Sequence, residues 1–332
     1  MTVTLKDVAE RAGVSRSAVS RAFTAGASVS PATRRRIEIA AAELGYSPNI
    51  IARGLATKRT KLIGLVANNF QNPAFLEVFD LYTRELQQRG FRPLLVNLTN
   101  ETDPEHAALM LRQYSVDGVI VASSTLPPDF ARAFRAAKVP VVQAFGRFDA
   151  ALNVPVVGID NVLCGRMAAE TLSARGYQRI AVIGGPEAAT STQDRVAGFV
   201  PRMKELGRAA QRIIYASRYS YEAGRIAMAE LLEGVPPDAV FCGNDLIALG
   251  AMDEARAQGV AIPADVGILG FDDVAMAAWE SYRLTTIRQP LRDITIASVS
   301  LILDLVQGPP RAPEALLFPC ELVERSTLRP PI

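Results

Sequence analysis

Seven short apolar, β-branched runs alternate with helical patterns from Lys61 onward: LIGLVAN, PLLVNL, DGVIVAS, PVVQAF, RIAVIGG, AVFCGND and VGILGFDD. No other feature narrows the fold as far. A strand that is apolar on both faces must be covered on both, and helices between successive strands provide that cover in a parallel sheet. Such sheets take ligands at the carboxyl ends of their strands. Polar residues gather at those exits: Asn68 and Asn69, Ser123 and Ser124, Asp160, Asn244 and Asp245, Asp272 and Asp273. By residue type each also suits a helix N-cap, the commoner use of Asn and Asp at a strand exit, so both roles stand for each.

The first 46 residues have a different texture. In TLKDVAERAGVSRSAVSRAF, Thr4 can cap a helix with Asp7 at its third position. Leu5, Val8, Ala9 and Ala12 then recur with the spacing of one apolar stripe. Gly13 permits a left-handed turn, Val14 fills the corner, and Ser15 can cap a second helix with Val19 and Phe23 inward. Arg16, Ser17, Ser20 and Arg21 point outward, and hydroxyls and guanidinium forks suit base edges and phosphates in a major groove. A third helix opens with Ser30 and Pro31, carries Ile37, Ala40, Ala41 and Leu44 on one face and stops at Gly45. Three helices too short to stand alone thus bury one another and leave the second free to read DNA, the plan of a helix-turn-helix.

Charge agrees with this division. The first 60 residues hold ten Lys/Arg against four Asp/Glu, leaving 26 against 30 in the rest, so the head is basic and the body mildly acidic. That asymmetry points to a polyanionic partner for the head alone. With 332 residues, 49% of them hydrophobic, the chain has enough for two or three compact units. The start MTVTLKDVAE has no apolar run before a cleavage site and no long uncharged apolar stretch follows, so the expectation is a cytoplasmic protein without a membrane partner. Cys164, Cys242 and Cys320 are odd in number and far apart, which suits reduced thiols packed as small hydrophobes.

His106 is the one histidine, and it lies on an exposed helical face. A triad or a His-based metal site would have to be built around it alone. There is no Walker A sequence, and no G-x-G-x-x-G follows the first strand, which disfavours a nucleotide enzyme. No motif links the carboxylates to a reaction, and the expectation is a protein that is not an enzyme and has no catalytic residue, metal or cofactor.

Residues 4–60 resemble the DNA-binding head of the LacI/GalR family of bacterial transcription regulators, through TLKDVAERAGVS, VSRAF and VSPATRRRIEIAAAELGYSPN. Residues 61–332 resemble that family's effector-binding core through NPAFLEV, VDGVIVASS, GIDNVLCGRMAAETL, GYQRIAVIGG, DRVAGF, CGNDLIALGAMDEARAQG, DVGILGFDD, LTTIRQP and ELVERST. The resemblance implies an all-α helix-turn-helix head (1–46), a hinge (47–60) and an α/β core of two Rossmann-like lobes with parallel sheets, like periplasmic sugar-binding proteins. It divides the core into an amino lobe of about 61–158 and 289–317 and a carboxyl lobe of about 159–288 and 318–332.

It also implies the sites. Expected DNA contacts are Thr4, Arg16, Ser17, Ser20, Arg21, Asn49 and Leu55, with Leu55 at the position of the family's minor-groove wedge and Thr24 where the family usually has Asn. Asn49 to Ala56 is too short to be helical alone and carries Gly54, so it is expected to order only on DNA. Effector contacts are expected from Arg195, Asn244 and Asp272, with Phe75 and Phe145 as aromatic walls, Asp160 and Ser191 as further polar contacts, and Asn69 and Ser123 at strand exits. Ordinary core packing is the alternative for the two phenylalanines. Tyr219 matches only through a neighbouring glycine.

Function follows as an expectation. The chain is read as a repressor that binds a pseudo-palindromic operator as a homodimer, with a small-molecule effector between the lobes. A sugar or sugar derivative is the family's commonest effector, a purine or nucleoside the next. STLRPPI carries no leucine heptad, so the tail-mediated tetramer of one branch is not expected. A transport receptor of the periplasmic type would share the core but not the head.

Overall fold

In the computed structural model, described over residues 3–24, 26–47, 59–68, 70, 72–98, 103–123, 129–309 and 312–332, the chain forms two compact units, 1–60 and 61–332. The smaller holds three helices, α1 (Leu5–Ala12), α2 (Arg16–Ala22) and α3 (Pro31–Leu44). Gly13 takes the left-handed conformation at φ 62°, ends α1 and turns the chain into α2. Ser15 and Ser30 cap α2 and α3 by accepting from the Ala18 and Thr33 amides. Val8, Ala9, Val19, Ala22, Ile37, Ala40 and Ala41 form the shared core, with Phe23 only half-buried and set against Tyr46.

Arginines hold this small unit together. Arg36 donates to the Ala12 and Gly13 carbonyls at 2.8 and 3.2 Å, Arg34 donates to the Ala22 carbonyl at the end of α2, and Arg11 pairs with Glu43 at 2.6 Å. The helix ends carry partial negative charge, so a guanidinium there satisfies both dipole and carbonyl. Two members of the Arg34–Arg36 run are therefore committed to the fold, and basic composition alone overstates the charge available to DNA.

The core unit contains two six-stranded sheets. The first is ordered β11-β5-β4-β3-β1-β2, from β1 (Leu62–Ala67), β2 (Arg92–Asn97), β3 (Gly118–Ala122), β4 (Val141–Ala144), β5 (Val156–Ile159) and β11 (Ala315–Phe318). The second is ordered β12-β10-β9-β8-β6-β7, from β6 (Ile180–Gly184), β7 (Ala210–Tyr215), β8 (Ala239–Cys242), β9 (Gly267–Asp272), β10 (Thr285–Arg288) and β12 (Glu321–Val323). The strand pairs are parallel apart from β10 with β12, in keeping with apolar runs separated by helices.

Helices α4 (Pro73–Gln88), α5 (Pro104–Gln113), α6 (Asp129–Ala136) and α11 (Leu291–Gln307) belong with the first sheet, the amino lobe. Those of the second, the carboxyl lobe, are α7 (Asn161–Ser173), α8 (Thr190–Glu205), α9 (Tyr221–Leu232) and α10 (Asp245–Ala257). The chain passes between lobes three times, at 160, at 289–290 and at 319–320. Those crossovers bring the carboxyl ends of both sheets toward one cleft.

Glycines set the closest helix approaches. A Cβ on Gly165 would overlap the Arg195 carbonyl, and one on Gly198 the Val162 carbonyl, so α7 and α8 meet backbone to backbone. Among the described residues no helix is long and apolar enough to cross a membrane.

Candidate functional site

The outer face of α2 carries Arg16, Ser17, Ser20 and Arg21, all exposed. Ser17 shares a 2.9 Å hydrogen bond with Ser15, the helix cap. Thr24 donates to the Ser20 carbonyl at 2.8 Å, so its hydroxyl finishes the helix. Thr4 is turned inward along its own chain: its amide and hydroxyl both donate to Asp7 Oδ2 at 2.8 Å and hold the Asp7 carboxyl below its usual range. Asn49 and Leu55, with the rest of the hinge from 48 to 58, lie outside the described residues, as does Asn69.

The core holds a cleft of about 590 Å³ of empty space, partly open to solvent, at the carboxyl ends of both sheets. Phe75, on the first turn of α4, and Phe145, just after β4, form its apolar wall with ring centroids 6.0 Å apart, edge to face. Phe145 sits at φ 64°, a conformation uncommon for a residue with a Cβ, which turns its ring into the cleft.

Arg195 enters from α8 and is nearly fully buried. Its Nε donates to Asn161 Oδ1 at 2.9 Å, its Nη1 donates to the Gly243 carbonyl at 2.5 Å, and its guanidinium lies 3.4 Å from the Phe271 ring centroid. Stacking and hydrogen bonds fix the fork in one orientation. Asp272 ends β9 at φ 117°, buried, accepting from Gln289 Nε2 at 2.7 Å, with the side-chain amide of Asn72 nearby. Burial raises its carboxyl above the ordinary value, against the pull of Arg195 and these donors.

Asn244 caps α10 through Oδ1, which accepts from the Ile247 amide at 3.0 Å. Its Nδ2 is buried and finds no hydrogen-bond partner among the described residues, and such a donor beside a cavity suits an acceptor from a ligand. Ser191 and Thr192 share the Tyr219 hydroxyl at 2.9 and 2.7 Å, and Tyr219 fits only because Gly185 has no side chain in its path.

Six of the nine residues expected at the effector site thus line one cleft: Phe75, Phe145, Ser191, Arg195, Asn244 and Asp272. Two do not. Asp160 is exposed and spends Oδ1 on the Leu163 amide at 2.9 Å, so the helix cap claims it and its neighbour Asn161 faces the cleft instead. Ser123 is buried and donates to Asn68 Oδ1 at 2.7 Å, closing the ends of β1 and β3 upon each other.

Asn72, Asn161 and Gln289 went unnoticed in the sequence although they line the cleft. Their signal is weak, because an amide side chain at a helix start or in a crossover has no periodicity to mark it. Beneath the site Asp245 is fully buried and accepts from Thr286 Oγ1 at 2.6 Å and the Val274 amide at 2.8 Å, bracing the turn that presents Asp272. Among the described residues no group of His, Cys, Asp or Glu could hold a metal ion.

A three-helix helix-turn-helix head followed in the chain by a two-lobed core with a polar, aromatic-walled cleft is the architecture of a DNA-binding transcriptional regulator. Comparison gives the family. Residues 4–49 match the profile of the bacterial regulatory proteins of the lacI family, and residues 60–326 match that of the periplasmic binding proteins and sugar-binding domain of the same family. The chain belongs to the LacI family.

It is 33% identical to the transcriptional repressor CytR of Escherichia coli (strain K12) over 329 residues, 98% of this chain and 96% of that one. It is 34% identical to the repressor PurR of Escherichia coli O139:H28 over 331 residues, with the same two coverages. Among solved structures, the lac repressor dimer bound to operator and the anti-inducer ONPF matches with a TM-score of 0.90 at 30% identity, covering 99% of this chain and 100% of that one. A complex of the regulator CelR with cellobiose matches at 0.75 and 31%, covering 98% and 99%.

Proposed function

We propose that this chain is a homodimeric repressor whose affinity for a pseudo-palindromic operator is set by an uncharged, ring-shaped effector, a sugar or sugar derivative, held in the cleft. Two copies are needed because one head covers a half-site and a symmetric operator needs a symmetric pair. Arg16, Ser17, Ser20 and Arg21 read bases and phosphates from α2, and Leu55 of the hinge enters the minor groove. A regulator of this kind acts on DNA in the cytoplasm.

The carrying observation is the balance of the cleft: one buried guanidinium faces one buried carboxylate between aromatic walls. A fork donor, a two-oxygen acceptor and the Asn244 amide suit adjacent hydroxyls, while the phenylalanines suit the C–H face of a ring. Arg195 is already opposed by Asp272, which gives a phosphorylated ligand no surplus cation among the lining residues. The solved relative in complex with cellobiose, and another with bound ribose, favour the same class.

Calorimetric titration against sugars, sugar phosphates, nucleosides and purines tests this, repeated with Asp272→Asn, a side chain that better tolerates the positive φ. A sugar that binds the wild type and loses at least tenfold in the variant is the expected result, since a buried charged hydrogen bond contributes about 1.5–3 kcal/mol. A nucleoside binding instead, or binding indifferent to Asp272, overturns the class or the site.

A further inference from the structure

Arg147 stands just beyond the turn that places Phe145, on the amino lobe, and reaches across to α8 of the carboxyl lobe. Its Nε donates to Asp194 Oδ2 at 3.0 Å and its Nη2 to Asp194 Oδ1 at 2.5 Å, with further contacts from Nη2 to Gln193 Oε1 at 3.2 Å and the Thr190 carbonyl at 3.4 Å. The pair is a two-pronged fork on a carboxylate, the strongest geometry available to such groups.

Both ends are built into the walls of the cleft. Phe145 lies two residues before Arg147, in a turn so tight that a side chain on Gly146 would strike Gln143. Asp194 directly precedes Arg195, whose guanidinium is tied to Asn161 and Gly243. A displacement of either wall by an occupant therefore moves one end of the fork.

We propose that Arg147 and Asp194 form a latch between the lobes, holding the cleft closed when it is empty and opposing its opening to admit the effector. The inference takes its purpose from the reading of the cleft as an effector site, but its physical content does not depend on it. The Arg147 side chain is 43% exposed and that of Asp194 18%, so the latch is within reach of salt screening. A half-exposed pair of this kind shifts the closed-to-open ratio by about two- to fivefold.

The test uses the full-length protein without ligand. Spin labels are attached through keto amino acids at exposed Ala136 on α6 and Glu233 after α9, which leaves the native cysteines untouched, and the inter-lobe distance is read by double electron–electron resonance. Arg147→Gln and Asp194→Asn are each expected to add a longer distance at low salt, and raising salt to about 0.5 M should move the wild type the same way. Arg147→Asp combined with Asp194→Arg should restore the short distance.

Folded single variants with wild-type distances, or a charge-exchanged pair that fails to recover them, would overturn the latch. If the variants do not fold, a wild-type distance unchanged by salt overturns it equally. A wrong effector reading would show in the calorimetry and leave these distances as they are.

Discussion

Asp272 and Asp245 are both buried carboxyls raised above their ordinary range, yet they serve different ends. Asp272 faces the cleft. Asp245 faces Thr286 and the Val274 amide, and burial together with the nearby Asp272 charge favours its neutral form. Because the folded state holds this proton more tightly than the unfolded chain, its contribution to stability is greatest below the ordinary value of 3.8 and falls as pH rises toward the folded value. Glu205 has the opposite sign: hydrogen bonds from Arg166 and Arg202 lower it from 4.5 to about 2, so its contribution is present above 4.5 and is lost as pH falls toward 2. Thermal melts across pH should show the acid loss reduced in Glu205→Gln and the decline from acid to neutral pH flattened in Asp245→Asn. The second variant should also lose about 1–3 kcal/mol, because an amide nitrogen would meet a donor.

At the scale of elements, the α7–α8 contact ties stability to the site. Gly198→Ala would drive a methyl group into the Val162 carbonyl, and over-packing of this kind costs about 1–3 kcal/mol in a denaturant titration. Since α8 carries Arg195, the same change should weaken effector binding, whereas a comparable loss of stability from a site remote from α8 should not. In the head, Ser15→Ala removes the cap that receives the Ala18 amide and should cost about 1 kcal/mol. Operator binding should weaken with it, because the capped helix is the one that carries the reading face. The basic run of α3 behaves unlike a charge count: Arg36→Ala removes the clasp on the Ala12 and Gly13 carbonyls, so its first effect should be a lower melting temperature of the head.

For the whole molecule, the division at residue 60 separates two compact units, and the proposed function gives each its own job. The excised core from 61 to 332 should keep ligand binding and lose operator binding altogether, as titration and gel-shift assays would show. In the intact protein, log affinity for operator should fall linearly with log salt, with a slope of about −0.9 for each phosphate neutralised, and Arg21→Ala should make that slope shallower by roughly one. An unchanged slope would remove Arg21 from the phosphate contacts.

The three helices of the head and seven of the twelve described strands were legible in the chain itself. Glycine at 13 and 45, serine caps at 15 and 30, and unbroken apolar runs each act within a few residues, and local chemistry of that kind needs no tertiary partner to be read. Polar side chains at strand exits were harder, because whether such a residue caps its helix or faces a ligand depends on its rotamer and its neighbours. Asp160 turned to the Leu163 amide while Asn161 turned to the cleft, and Asn244 managed both by using one atom for each. Cys164 and Cys320, distant in the chain, come together where two crossovers run side by side, next to the register of Phe318 with Ile159. The sequence by itself determined the helices of the head, seven of the twelve described strands and the class of protein, since each is written in local pattern. Only the tertiary structure decided which polar atoms remain for a ligand, because that is settled by competition among groups the fold brings together.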